Sequence, residues 1–135
     1  MRIVVDTSVL VRYLLRPSAA TRQLIEDLWL EDVVTLVVSP ELIAELENVL
    51  QRPKISRFVA AEDAAVLVHA VKARSVFLRP LAEILPFTRD PKDDKFVACG
   101  ISGNAQYLIS YDEDLLVLRA VGSMQICTPE AFVRI

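Results

Sequence analysis

The sequence predicts an α/β protein, a three-layer αβα sandwich around a mostly parallel sheet of about five strands. Three observations predict it. Short apolar, largely β-branched runs alternate with stretches of helical periodicity, the pattern of βαβ crossovers. The apolar runs show almost no polar alternation, as expected for strands covered by helices on both faces. Polar helix-starting residues follow several of these runs at once, so each strand hands the chain to a helix.

Ile3-Val4-Val5 is the first strand, and Asp6-Thr7-Ser8 ends it and opens a helix over Val9 to Leu15. Arg16-Pro17-Ser18 closes that helix. Ser18 or Thr21 caps a second one, in which Leu24, Ile25, Leu28 and Trp29 recur at helical spacing. Val33 to Val38 is the strongest strand signal. Ser39-Pro40-Glu41 then starts a helix: Ser suits the cap, Pro the first turn, and Glu the positive end of the helix dipole. Leu42, Ile43, Leu46, Val49 and Leu50 form its apolar stripe, which stops before Pro53. An Ala-rich helix is expected over residues 60–74, with Val66, Leu67, Ala70 and Val71 on one side, followed by a strand over Ser75 to Leu78. After the polar loop Thr88 to Asp94, a helix is expected from about Asp93 to Ser102, ending at Gly103-Asn104. Tyr107 to Ser110 and Met124 to Cys127 are the fourth and fifth strands, and Thr128-Pro129-Glu130 starts a last helix. With no repeat, low-complexity segment or linker, one domain over residues 1–135 is expected.

Composition narrows the function. A hydrophobic content of 53% with only three glycines disfavours disorder. A net charge of −3 disfavours a general nucleic-acid coat protein, while leaving room for a nuclease with acids in its site and bases around it. Cys99 and Cys127 lie in apolar runs without a CxxC pattern and read as free thiols. No secretory leader precedes the first strand and no run is long enough to span a bilayer, so a cytoplasmic protein is expected, without membrane association.

In open parallel sheets, sites form beyond the carboxyl ends of the strands. Asp6 follows the first strand and Asp112 the fourth, while Asp94 starts the helix leading into the fourth strand. Glu45 lies in the helix after the second strand, beside its apolar stripe. Each acid has an ordinary alternative: Asp6 and Asp112 as helix caps, Asp93 and Asp94 as first-turn acids, Glu45 as a solvated helix residue. Together, carboxylates gathered at one sheet end repel one another, and a divalent cation relieves that repulsion. An all-oxygen set favours Mg²⁺ or Mn²⁺, and the single His69, without a nearby Cys partner, offers no zinc site. Such an ion polarises a phosphodiester and acidifies water for in-line attack.

Four segments then occur in an order that resembles the PIN-domain family: Ile3 to Leu10, Ser39 to Leu46, Asp90 to Ala98, and Tyr107 to Leu116. Val49 to Lys54 also resembles the toxins of bacterial toxin–antitoxin pairs, the VapC-like ribonucleases. The resemblance implies a PIN-like αβα fold and metal-dependent cleavage of single-stranded RNA. It implies an acidic quartet at Asp6, Glu45, Asp94 and Asp112, holding one or two Mg²⁺ or Mn²⁺ ions. Asp94 is preferred as third member for its spacing to Asp112, with the adjacent Asp93 left open. Thr7, Ser8, Asp90, Asp93, Ser110 and Asp114 are expected to support the quartet, Ser8 by orienting the first carboxylate and Ser110 by acting beside Asp112; plain capping by the hydroxyls is the alternative. Arg12, Arg16, Arg52, Lys54, Arg89, Lys92 and Lys95 are candidate phosphate contacts, and no aromatic ladder for base stacking is visible. By the same resemblance, a homodimer and a small antitoxin protein are the expected partners besides RNA.

Two rival functions are set against this. A phospho-acceptor Asp would need a second acid near Asp6, but Ser8 stands two residues on, and Thr128-Pro129-Glu130 replaces the Lys a receiver domain wants after its last strand. A PIN-like module that binds RNA or protein without cutting would not require all four acids.

Overall fold

The computed structural model describes residues 1–81 and 84–135. Its sheet has six strands in the order β3-β2-β1-β4-β6-β5. They are β1 (Arg2–Val5), β2 (Thr35–Val38), β3 (Ser75–Phe77), β4 (Tyr107–Ile109), β5 (Ala120–Val121) and β6 (Met124–Cys127). All neighbours pair in parallel except β5 with β6. The added strand β5 is two residues long, too short for an alternation signal. Gly122-Ser123 makes its tight turn to β6, and Gly122 adopts φ +58°, which glycine enters without the penalty of a Cβ.

Helices cover both faces. The helices are α1 (Thr7–Leu15), α2 (Ala19–Arg22), α3 (Pro40–Gln51), α4 (Pro53–Ser56), α5 (Ala61–Ala73), α6 (Asp94–Ser102), α7 (Glu113–Leu116) and α8 (Pro129–Phe132). On one side Ile3, Val5, Leu36 and Ile109 pack with Val9, Leu24, Trp29, Leu46 and Phe132. On the other, Val4, Val37 and Leu108 pack with Phe96, Val97 and Leu115. Alternate residues of one strand thus enter opposite cores, which explains why the strands read as unbroken apolar runs. Gly103 closes α6 directly over β2: a Cβ there would collide with the Val37 side chain, so the glycine lets the helix end meet the sheet.

Some local expectations differ from the structure. The second helix changes after α2 into a π-helical stretch, Gln23–Trp29, and the Leu30 N–H reaches back to the Ile25 carbonyl. Val33 and Val34 do not join β2, because their N–H groups bond to the Leu28 carbonyl and finish this helix. Pro53, expected only as a stop, opens the one-turn α4 at a position where a missing N–H costs nothing. Val66 is exposed on α5, whereas Leu67 and Val71 are buried. Among the described residues, no helix is long and apolar enough to cross a membrane.

The chain runs outward from β1 through β2 to β3, then returns to the other side of β1 as β4. The reversal puts a topological switch point between β1 and β4. Side chains leaving their carboxyl ends diverge there and open a crevice.

Candidate active site

Asp6 leaves β1 at this switch point, and its backbone N–H donates to the Ile109 carbonyl of β4 at 2.9 Å. Only 4% of Asp6 is exposed. Its Oδ2 accepts the Ser110 hydroxyl at 2.5 Å and the Ser8 hydroxyl at 3.0 Å. Ser8 N–H lies 3.4 Å from Oδ1, so Asp6 also caps α1. The capping reading and the site reading therefore coincide in one residue. Burial pushes the Asp6 carboxyl above its ordinary value, against the two hydroxyl bonds, and the charge of Glu45 adds to the rise.

The same hydroxyls join the ends of β1 and β4. Ser110 accepts the Asp112 N–H at 2.8 Å, and Ser8 accepts the Tyr111 N–H at 3.3 Å. Ser110 thus serves Asp6 through its proton and Asp112 through its lone pair, rather than acting beside Asp112 alone. Asp112 itself caps α7, accepting the Asp114 N–H at 2.9 Å. Glu45 comes from the second turn of α3, with the Thr7 hydroxyl donating to Oε2 at 2.6 Å and Lys95 Nζ 2.9 Å from Oε1.

Asp6, Glu45 and Asp112 line one cavity of about 850 Å³, and Asp90 and Asp93 are the further acids on its wall. The Asp94 carboxylate is turned elsewhere, accepting the Thr88 N–H at 2.7 Å and closing the loop before α6. Adjacent residues at a helix start point about 100° apart, and here Asp93 faces the cavity while Asp94 faces the loop. Asp93 is 6% exposed, and its Oδ2 is buried with no hydrogen-bond partner. Burial, then the charge of Asp112 and a carboxyl-to-carboxyl hydrogen bond with it, then the charges of Asp6 and Asp90, push its carboxyl up to about 7. A carboxylate oxygen buried without a donor is costly unless it takes a proton or a cation.

Asp90, Asp93 and Asp114 each bring a carboxylate oxygen within 4.8 Å of the other two. Asp90 also accepts the Lys92 N–H at 3.0 Å, and Arg89 pairs with Asp114 at 2.7 Å. Among the described residues this is the only group of three acids, histidines or cysteines so close together; Asp6, Glu45 and Asp112 share the cavity at wider spacing. All donors are hard oxygens and one is unsatisfied, which fits Mg²⁺ or Mn²⁺. His69 is exposed on α5, away from the cavity.

Arg12, Arg16, Arg52, Lys54 and Lys92 line the cavity, whereas Arg89 and Lys95 are engaged by acids. Sequence reasoning missed Phe58, which is 71% exposed on the cavity wall just after α4. Its signal was faint: a lone aromatic beside Arg57 in a short segment assigned no structure.

The PIN-domain family model matches residues 2–114. The chain belongs to the PIN-domain family. The uncharacterized protein MJ1680 of Methanocaldococcus jannaschii is 24% identical over 98% of this chain and 90% of its own length. Among solved structures, VapBC2 of Rickettsia felis, bound to a DNA fragment from their promoter, is similar with a TM-score of 0.61 and 14% identity, covering 93% of this chain and 97% of that one. FitAcB of Neisseria gonorrhoeae is similar at 0.57 and 16% identity, covering 95% and 98%. VapC20 of Mycobacterium tuberculosis, a toxin described as cleaving the sarcin–ricin loop, is similar at 0.53 and 18% identity, covering 91% and 98%. These likenesses extend the PIN fold across nearly the whole chain.

Proposed function

We propose that this protein, as one PIN domain over residues 1–135, is a Mg²⁺- or Mn²⁺-dependent endoribonuclease cutting single-stranded RNA. We further infer that it is the toxin of a toxin–antitoxin pair. The observation that carries the catalytic reading is the buried, unpartnered oxygen of Asp93 in the cavity that Asp6, Glu45 and Asp112 also line. Membership in the PIN family supports nuclease chemistry. The likeness to VapBC2 and FitAcB supports an antitoxin partner, and the likeness to VapC20 supports RNA as substrate.

Asp6, Asp93 and Asp112 would hold the ion, with Glu45 completing the acidic set and Asp90 and Asp114 beside it. Asp93 replaces Asp94 in this assignment, because Asp93 lines the cavity and Asp94 does not, one of its oxygens being held by Thr88 N–H. When bound, the divalent ion supplies Lewis-acid polarisation of the scissile phosphodiester and makes a water acidic enough to attack. Ser8 and Ser110 hold Asp6 in one rotamer, and Thr7 does the same for Glu45. Arg16, Arg52, Lys54 and Lys92 would bind flanking phosphates, and Phe58 would stack on a base. The protein would act in the cytoplasm, as a homodimer silenced by its antitoxin.

The test is cleavage of a single-stranded RNA with Mg²⁺ or Mn²⁺, then with EDTA, then with the ion restored. Cleavage should stop with EDTA and return with the ion. Cleavage that ignores EDTA, or RNA binding with no cleavage under any ion, would overturn the reading.

A further inference from the structure

The acids around the cavity differ in how far the protein already neutralises them. Asp6 has two hydroxyl donors. Asp114 has the Arg89 guanidinium. Glu45 is the most fully compensated: one oxygen takes the Thr7 hydroxyl and the other faces the Lys95 ammonium. Both members of that ion pair are about four-fifths buried, with side chains 21% and 20% exposed, so water and salt screen it weakly. Asp93 stands at the other extreme, with Oδ2 buried and unpartnered. The need for a cation is therefore uneven, strong at Asp93 and already met at Glu45.

Resting on the reading of this cavity as a metal-dependent nuclease site, we propose that the Lys95 ammonium replaces a second divalent ion. The site then takes one ion, on the side of Asp93, Asp6 and Asp112. Lys95 is a positioning residue in this scheme. It holds the Glu45 carboxylate in place, while its charge keeps a second ion from gathering around Glu45. The lysine is not on the cavity wall, so it braces Glu45 from behind and leaves the space for RNA open. A fixed ammonium also balances charge when the metal concentration is low, whereas a loosely held second ion would dissociate.

Mn²⁺ binding to the purified full chain, followed by titration calorimetry and by loss of the free-ion EPR signal, tests this without any turnover. The parent should bind one Mn²⁺. Lys95→Arg keeps the charge and should also bind one. Lys95→Met leaves Glu45 uncompensated and should bind a second Mn²⁺ or hold the first about tenfold tighter, a change of the size that groups around a metal commonly cause. Glu45→Gln, which does not depend on Lys95→Met folding, should still bind one ion, whereas Asp93→Asn should weaken it about tenfold or more. Two ions in the parent, an unchanged Lys95→Met, or loss of the ion in Glu45→Gln would overturn the role of Lys95 while leaving the nuclease reading intact. No Mn²⁺ bound to the parent would instead overturn the nuclease reading.

Discussion

Asp93 and Asp94 are neighbours with the same side chain, so exchanging each for Asn separates the site from its surroundings with minimal change of shape. In Asp93→Asn the cavity loses its unsatisfied charged oxygen. Mutating groups that merely support a metal ligand costs roughly 10- to 100-fold in affinity or activity, so loss of a ligand should cost about 100-fold or more. The metal-free fold should tolerate the change well, because it removes a charge crowded by Asp112, Asp6 and Asp90. Asp94→Asn instead alters the bond from Thr88 N–H, now 2.7 Å long. The amide keeps an oxygen there, so only the charge assistance is lost, about 1 kcal/mol. For a domain of this size that lowers Tm by about 4 °C. Metal-dependent RNA cleavage at saturating Mn²⁺, with calorimetric Tm on the same samples, reads both effects. The expected result is an inactive, stable Asp93→Asn and an active, slightly less stable Asp94→Asn. The reverse pattern, with Asp94→Asn inactive and Asp93→Asn active, would refute the assignment.

Three further outcomes are expected. Because Asp93 titrates near 7 in the fold and about 4 when unfolded, the native state binds the extra proton between those values. The stability of metal-free protein should therefore fall as pH rises from about 4 to about 7, a slope that Asp93→Asn and saturating Mg²⁺ each flatten; a flat parent profile in chelator contradicts this. Ser110→Ala strips a fully buried donor from Asp6 and the acceptor from Asp112 N–H, which should cost about 2 kcal/mol, since bonds to charged groups are worth roughly 1.5–3; a Tm unchanged by calorimetry would mean the hydroxyl does not hold Asp6. Phe58→Ala, made in a non-cleaving background, should weaken single-stranded RNA binding by fluorescence anisotropy about 5- to 150-fold, the span of one lost base stack. The salt dependence of that binding should not change, because no charge is removed.

Much of the fold was legible because its signals are local. Val37-Val38-Ser39-Pro40 marks both the end of a buried strand and the start of a helix, and β2 and α3 meet there. The errors arose where non-local bonding overrides propensity. Val33 and Val34 are as β-prone as the rest of their run, yet their N–H groups complete the π-helical stretch before them. Strand β5 is defined by its pairing with β6 and has almost no pattern of its own. In the site, strand ends announced Asp6 and Asp112, since an acid directly after an apolar run is visible by eye. Choosing between Asp93 and Asp94 required the helix phase, and one residue of uncertainty in where α6 begins rotates the answer by about 100°. The pairings of Lys95 with Glu45 and Arg89 with Asp114 join distant or loop residues, which no spacing rule ranks above the other basic side chains.

The central claim is that carboxylates gathered at the β1–β4 switch point cut RNA through a divalent ion. Asp6→Asn tests it most directly, since it keeps the shape of the residue that both Ser8 and Ser110 hold and removes its charge. Sequencing of RNA 5′ ends after incubation with Mn²⁺ should reveal discrete new ends with the parent and none with a folded Asp6→Asn. The same ends at the same rate from both proteins would contradict the claim.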